Sequence, residues 1–384
     1  MNIALKLAEK GIGSVEPNPA VGCVIVKDGK IIGKGYHKKF GQAHAEINAL
    51  ADCRKNGYDP QGATMYVTLE PCCHFGKTPP CTKAVIESGV KKVFITMQDP
   101  SCHCDGRGIE QLKAAGIDVT VGILEKEARI LNAPFIKYAQ TDRPWVIVKW
   151  AQSIDGKLAC VNREAQLLEP YMQLSQSIRW ISNEQSRKDA HKLRRRVQAI
   201  LVGIDTVIAD DPLLTPRPSM GRKPLRIVLD SQLRISTYCQ LLKTAKKYPL
   251  IIFTGEGAVN ANLEKAKLIA KAGAAIVAIP LDENRRCDLN AVLENIAKRN
   301  IQQLLVEGGA KVIASFLQDN LVDELCVYIA PKILGSKGNV TICDSLSSLK
   351  TELALANITI TRFGNDVRIS GLLITDYYKY RCPR

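Results

Sequence analysis

The chain has 384 residues, with 53 Lys+Arg against 38 Asp+Glu and a formal charge of +15. At about 100–200 residues per domain that length excludes a mini-protein and suggests two or three domains, and a composition 46% hydrophobic and 24% charged excludes a disordered chain. No run reaches the about 18–20 uninterrupted apolar residues of a membrane helix, and Met1 to Lys10 is amphipathic rather than the apolar core of a signal peptide; a cytosolic protein with no membrane partner is expected.

In chain order, Asn2 to Glu9 reads as a helix. Gly22 to Val26 and Ile31 to Tyr36 flank an Asp28-Gly29 turn, a strong hairpin signal. A helix opens at His44, strands follow at Thr64 to Leu69, Lys92 to Met97 and Asp118 to Val121, and helices fall near Thr82 to Glu87, Ile109 to Ala115 and Glu125 to Tyr138. A hairpin followed by strand and helix alternation predicts a three-layer α/β domain over residues 1–142. Beyond the short linker at Ala139 to Arg143, the apolar strand Trp145 to Trp150 is interrupted only by Lys149. Further strands are expected at Ala199 to Val202, Leu225 to Leu229, Leu250 to Phe253, Ala275 to Ile279, Gln303 to Val306, Leu325 to Ile329 and as a hairpin around Phe363 to Asp366. Helices are expected near Asn183 to Arg196, Leu263 to Ala272, Leu289 to Arg299 and Lys311 to Gln318, so residues 143–384 read as a second α/β domain.

The charge is unevenly divided. Residues 1–142 hold 18 basic and 15 acidic groups, a net of +3, and the remainder holds 35 and 23, a net of +12. Such basicity serves nucleic acid or small phosphorylated ligands, and charge alone does not separate them. The 13 Cys are odd in number and irregularly spaced, which favours reduced thiols and a metal site over a disulfide framework.

His44-Ala45-Glu46, Pro71-Cys72 and, after eight intervening residues, Cys81 form the first chemical constellation. Zinc takes three His or Cys ligands when its fourth position stays open for water, whose pKa it lowers toward neutrality. His44, Cys72 and Cys81 supply three ligands, and Glu46, two residues after His44, is placed to shuttle protons. Cys81 follows Pro80 at an expected helix start, where partial positive charge favours its thiolate. A closed structural site using Cys73 or His74 is the alternative. Cys102-His103-Cys104 is a rival metal cluster, poor for tetrahedral geometry without a distant partner, and reads more simply as loop chemistry.

The H-x-E and Pro-Cys elements are those of zinc deaminases. The run Thr68-Leu69-Glu70-Pro71-Cys72-Cys73-His74-Phe75-Gly76-Lys77-Thr78-Pro79-Pro80-Cys81, with Pro17-Asn18-Pro19-Ala20-Val21-Gly22 upstream, closely resembles the deaminase half of the bifunctional riboflavin-biosynthesis deaminase/reductase family. The resemblance implies a cytidine-deaminase-like fold in which Asn18, His74 and Lys77 hold the pyrimidine and its ribose phosphate.

In the second half no G-x-G-x-x-G follows a strand, so a Rossmann fingerprint is absent. Val306-Glu307-Gly308-Gly309-Ala310-Lys311 is instead a strand running through two glycines into a helix, a junction where backbone N–H groups can meet phosphate. With Ser153-Ile154-Asp155-Gly156-Lys157, Gly203-Ile204-Asp205-Thr206-Val207, Asp210 to Thr215 and Ala330 to Gly335, it resembles the reductase half of the same family over residues 143–373. That likeness implies a dihydrofolate-reductase-like fold, with NADPH lined by Ala151, Trp180, Thr206, Asp210 and the segment Gly309, Ala310, Lys311, Val312, Ile313, Ala314 and Ser315. It implies substrate contacts from Arg194, Leu214, Arg217 and Glu307.

The implied activity is Zn2+-dependent hydrolytic deamination of 2,5-diamino-6-(5-phosphoribosylamino)pyrimidin-4-one, then NADPH-dependent reduction of the ribosyl group to ribityl. One departure stands out: Asp155 to Trp180 is 25 residues, longer than the family spacing. An insertion near 161–173 beside the cofactor site suggests, as an alternative, a deaminase with an impaired reductase. A nucleic-acid-binding protein is disfavoured by 5% aromatic content, too little for a stacking platform. Assembly into a homo-oligomer is left open.

Overall fold

A computed structural model of the chain describes residues 1–102, 104–160, 180–219, 221–346, 349 and 352–374. The chain divides into two units, Met1–Pro144 and Trp145–Arg384.

In the first unit, β1 (Gly22–Lys27) and β2 (Lys30–Tyr36) pair antiparallel with Lys27 opposite Lys30. Asp28 and Gly29 form the two-residue turn, both at positive φ (50° and 73°), as the Asp-Gly pair demands. β3 (Thr64–Val67) pairs antiparallel with β1, and β4 (Lys92–Ile95) and β5 (Asp118–Val121) add in parallel, giving the order β2-β1-β3-β4-β5. Glycines let helices press on both faces of this sheet. A Cβ at Gly22 would lie 2.0 Å from the Ala4 carbonyl oxygen in the helix Asn2–Glu9. One at Gly35 would lie 2.3 Å from that of Ala45 in the helix Ala45–Lys55. Gly35 pairs with Cys23, the neighbour of Gly22, so the two glycines face opposite sides. Cys23, Ile25, Met65, Val67, Val93 and Ile95 fill the core beneath the helix Ala45–Lys55. The helix expected over Glu125 to Tyr138 is two, Glu125–Leu131 and Ala133–Thr141, because Pro134 lies in the first turn of the second. At the break, the Asn132 side chain exchanges hydrogen bonds with the Ala20 backbone, accepting at 2.8 Å and donating at 3.0 Å.

The second unit holds β6 (Trp145–Ser153), β7 (Lys157–Cys160), β8 (Ala199–Gly203), β9 (Leu225–Leu229), β10 (Leu250–Gly255), β11 (Ala275–Ile279), β12 (Gln303–Glu307), β13 (Glu324–Ala330), β14 (Gly338–Thr341), β15 (Leu355–Phe363) and β16 (Asp366–Leu373). Nine of them form one sheet, β11-β10-β9-β8-β12-β6-β13-β16-β15, parallel as far as β13 and closed by the antiparallel C-terminal hairpin. Parallel strands buried on both faces read as continuous apolar runs: Val146, Leu201, Ile227 and Val306 belong to the main core, and their neighbours Ile147, Ile200, Val228 and Leu305 are buried as well. The short helices Gln240–Lys243 and Glu256–Ala261 and the β7–β14 pair carry no readable period and were not anticipated. Among the described residues no helix is long and apolar enough to cross a membrane.

Candidate active sites

In the first unit, His44 is the N-cap of the helix Ala45–Lys55, with extended backbone (φ −74°, ψ 173°), which places Glu46 in the first turn. Cys81 opens the helix Cys81–Glu87 directly after Pro80. The fold joins these starts to Cys72: the His44 Nδ1 lies 3.5 Å from the Cys72 Sγ and 3.3 Å from the Cys81 Sγ. Tetrahedral zinc, with Zn–S of about 2.3 Å and Zn–N of about 2.0–2.1 Å, sets S-to-N edges at about 3.5 Å. The donor set therefore fits zinc with one corner open, and Glu46 is buried beside it at 3% exposure. Burial, then the charge of Cys72, pushes the Glu46 carboxyl up to about 7, so it can take or give a proton near neutrality.

At the helix start, where positive charge favours thiolate, the Cys81 backbone N–H donates to the Cys72 Sγ at 3.3 Å. The Cys81 thiol, then, against burial, His44 and this N–H, draws the Cys72 thiol down to about 4. Cys81 itself is pushed up, first by its hydrogen bond to Cys72 and then by burial.

Sequence reasoning missed His37. It is buried just past β2, its ring 5.0 Å from that of His44 and edge-on to it. Asn18 Nδ2 donates to the His37 Nε2 at 3.3 Å, which leaves the His37 Nδ1–H to donate to the Ala43 carbonyl at 3.2 Å. Asn18 thus reaches His44 through one imidazole. Its only sequence signal was a His seven residues before His44. Lys77 is exposed, its ammonium 4.1 Å from the Phe40 ring centroid. His74 is exposed and lies with Cys73 and Cys104 rather than with the first three ligands. Glu70 explains the acidic residue of the Leu-Glu-Pro-Cys run. Its carboxylate accepts from the backbone N–H groups of Asp99 (3.0 Å), Gly106 (3.1 Å), Gly108 (2.8 Å) and Ile109 (3.3 Å), fixing the loop that carries Cys104.

In the second unit the expected residues line a single cleft of about 1650 Å³. It opens where β6, β8 and β12 end, the carboxyl edge at which open parallel sheets bind ligands. Ala151, Trp180, Thr206, Asp210, Arg194, Leu214, Arg217, Glu307, Gly309, Ala310, Lys311, Val312, Ile313 and Ser315 all contribute. Ala314 does not: it is buried, turned from the cleft by the helix Ala310–Gln318. Gly308 and Gly309 take positive φ (76° and 75°), and a Cβ at Gly309 would meet the Thr206 Oγ1 at 3.0 Å. Both glycines are thus required, by backbone conformation and by the close approach of Thr206.

Two of the expected substrate contacts bind each other. Arg194, in the last turn of the helix Glu184–Arg196, donates to the Glu307 carboxylate from Nε at 2.8 Å and Nη2 at 2.6 Å. Burial would raise the Glu307 carboxyl, but Arg194 and then Lys149 hold it at about 2. Lys149, opposite Glu307 in the β6–β12 register, is a cleft residue missed by sequence reasoning, and burial lowers its ammonium. The signal was present as the one charge inside an apolar strand. His191 was also missed; burial, then the Arg194 and Arg217 charges, brings it to about 4. Asp155 accepts from Leu334 N (3.1 Å) and Gly335 N (2.8 Å), so the Ser153 to Lys157 and Ala330 to Gly335 runs clasp each other. The insertion near 161–173 and His103 lie outside the described residues.

Comparison with known proteins agrees with this division. Residues 144–369 match the family model of the RibD C-terminal domain, and residues 1–97 match that of the cytidine and deoxycytidylate deaminase zinc-binding region. The chain is 43% identical over 337 residues to riboflavin biosynthesis protein RibD of Actinobacillus pleuropneumoniae, covering 88% of this chain and 84% of that one. It is 40% identical over 371 residues to RibD of Aquifex aeolicus, covering 96% of each. A crystal structure of a diaminohydroxyphosphoribosylaminopyrimidine deaminase/5-amino-6-(5-phosphoribosylamino)uracil reductase from Thermotoga maritima superposes with a TM-score of 0.81 at 35% identity, covering 97% of both chains.

Proposed function

This chain belongs to the family of riboflavin biosynthesis protein RibD, and on that premise we propose how its residues divide the work of a zinc-dependent deaminase and an NADPH-dependent reductase. Residues 1–142 carry the deaminase and 143–384 the reductase. The substrate is 2,5-diamino-6-(5-phosphoribosylamino)pyrimidin-4-one, and the deaminated product is the substrate of the reduction.

His44, Cys72 and Cys81 hold the zinc ion, which when bound supplies a Lewis acid and an activated water at neutral pH. Glu46 accepts the proton that the attacking water loses at the ring carbon bearing the exocyclic amine. It passes that proton to the neighbouring ring nitrogen, then takes the remaining proton of the added hydroxyl and gives it to the departing amine, which leaves as ammonia. Asn18 and His74 orient the pyrimidine, and Lys77 meets the phosphate as a mobile point charge. In the second unit NADPH, when bound, would supply the hydride that with a proton converts the ribosyl group to ribityl. Thr206, Asp210 and the Gly309 to Ser315 helix start hold the cofactor, with Ala314 bracing that helix from the core, while Ala151 and Trp180 line its other side. Arg194, Leu214, Arg217 and Glu307 position the sugar phosphate. The basic excess of this half serves these phosphates, and neither nucleic acid nor membrane is a partner.

The observation that carries the reading is the meeting of three ligand atoms within 4.8 Å of one another beside a buried carboxyl. The test is ammonia release with the pyrimidine substrate, followed on the same sample by NADPH oxidation. Both signals are expected, the second only after the first. Zinc-loaded protein that releases no ammonia would overturn the deaminase assignment, and absent NADPH oxidation with the deaminated product would overturn that of the reductase.

A further inference from the structure

The backbone bends at His74, directly after Cys73. With Cys72 committed to His44 and Cys81, Cys73 turns elsewhere: its Sγ lies 3.9 Å from the Cys104 Sγ. The Cys104 Sγ lies in turn 3.6 Å from the His74 Nδ1, and the three donor atoms all lie within 4.8 Å of one another. Cys104 thereby gains the distant partners that Cys102-His103-Cys104 lacked as a sequence.

We propose that Cys73, His74 and Cys104 form a second metal site, separate from the first, whose two-sulfur, one-nitrogen donor set takes zinc or another thiophilic divalent ion. The spacing fits such an ion. Tetrahedral zinc bonds set S-to-S edges of about 3.7 Å and S-to-N edges of about 3.5 Å, against 3.9 Å for Cys73 to Cys104 and 3.6 Å for Cys104 to His74. The support is also rigid. Glu70 and Pro71 lead into Cys72 and Cys73, and the four backbone hydrogen bonds of Glu70 pin the loop that presents Cys104, which is buried. Both sides of the site are thereby anchored to one carboxylate, the preorganisation a metal site needs. His74 is exposed, which leaves the ion a water-accessible corner. A consequence, resting on the function proposed above, is that an ion here engages the imidazole assigned to the pyrimidine. The site would be inhibitory.

The test uses the full chain, stripped of metal and kept under a thiol-free reductant, titrated with Co2+ and separately with Zn2+. Wild type is expected to bind two ions per chain, with thiolate-to-cobalt absorption growing in two steps. Cys73→Ser and Cys104→Ser should each bind one. Cys104 is buried, so the half-buried Cys73 supplies the primary variant, with its thermal melt checking the fold. One ion per chain in wild type, or two in the Cys73→Ser/Cys104→Ser double variant, overturns the site. Deamination should rise with the first equivalent of zinc and fall with the second, and Cys73→Ser should keep the rise and lose the fall. Two bound ions with no fall in activity uphold the metal site and remove His74 from the substrate contacts.

Discussion

At the scale of single residues, charge placement decides what each group can do. Glu46→Gln keeps the shape of the buried first-turn side chain and removes its proton chemistry, so ammonia release should drop by about 10²–10⁴-fold while one zinc stays at the first site, read by metal analysis beside the rate. Loss of that zinc would mean that Glu46 supports the ligands instead. Arg194→Ala leaves the buried Glu307 carboxylate without its hydrogen-bonded partner and with only the Lys149 charge nearby, a loss of up to about 3–5 kcal/mol visible as a lower urea midpoint for the second unit. The pH dependence follows from the same pair. A carboxyl held at about 2 when folded and about 4.3 when unfolded stabilises the fold fully above the latter value and loses its contribution as pH falls through the former. His191, at about 4 folded against about 6.5 unfolded, also loses its stabilising contribution on acidification, but in the window between those values. The melting-temperature gap between wild type and Glu307→Gln should therefore shrink as pH falls below about 4. A gap that does not shrink there would refute the pairing.

Elements matter through where they begin and how closely they approach. The helix carrying His44 and Glu46 can sit on β2 only because Gly35 has no side chain. Gly35→Ala should cost about 1–3 kcal/mol by forcing that helix outward, and it should weaken zinc binding because the first ligand is the helix's own N-cap. Unchanged zinc affinity in a destabilised variant would separate the helix position from the site. In the second unit, Gly309→Ala places a Cβ at positive φ and against Thr206. The strain of about 1–3 kcal/mol should raise the KM for NADPH by about tenfold or more and leave ammonia release untouched.

For the whole molecule, the two sets of chemistry draw on different residues and should fail separately. Chelation should abolish ammonia release while NADPH oxidation with supplied deaminated product continues. Raising salt should weaken the phosphorylated substrates at the +12 half, and no retardation of RNA or DNA is expected at about 150 mM salt. Loss of both activities on chelation would argue against the division proposed here.

The sequence by itself determined the strands and most helices, because hydrophobic period and turn chemistry are local: the Asp28-Gly29 hairpin and the unbroken apolar runs of the parallel strands are read from neighbours in the chain. It also picked out His44, Cys72 and Cys81, which the fold brings within 4.8 Å of one another, and the Gly308-Gly309 junction, since both are spaced motifs. Only the tertiary structure decided that the N–H of Cys81 serves Cys72, that Arg194 is locked to Glu307, that Ala314 faces the core, and that Cys104 meets Cys73 and His74. These are encounters between segments distant in sequence. Electrostatics and coordination depend on distance through space, which local patterns do not encode, and so Lys149, His191 and His37 acquire their meaning only once the sheets bring their partners alongside.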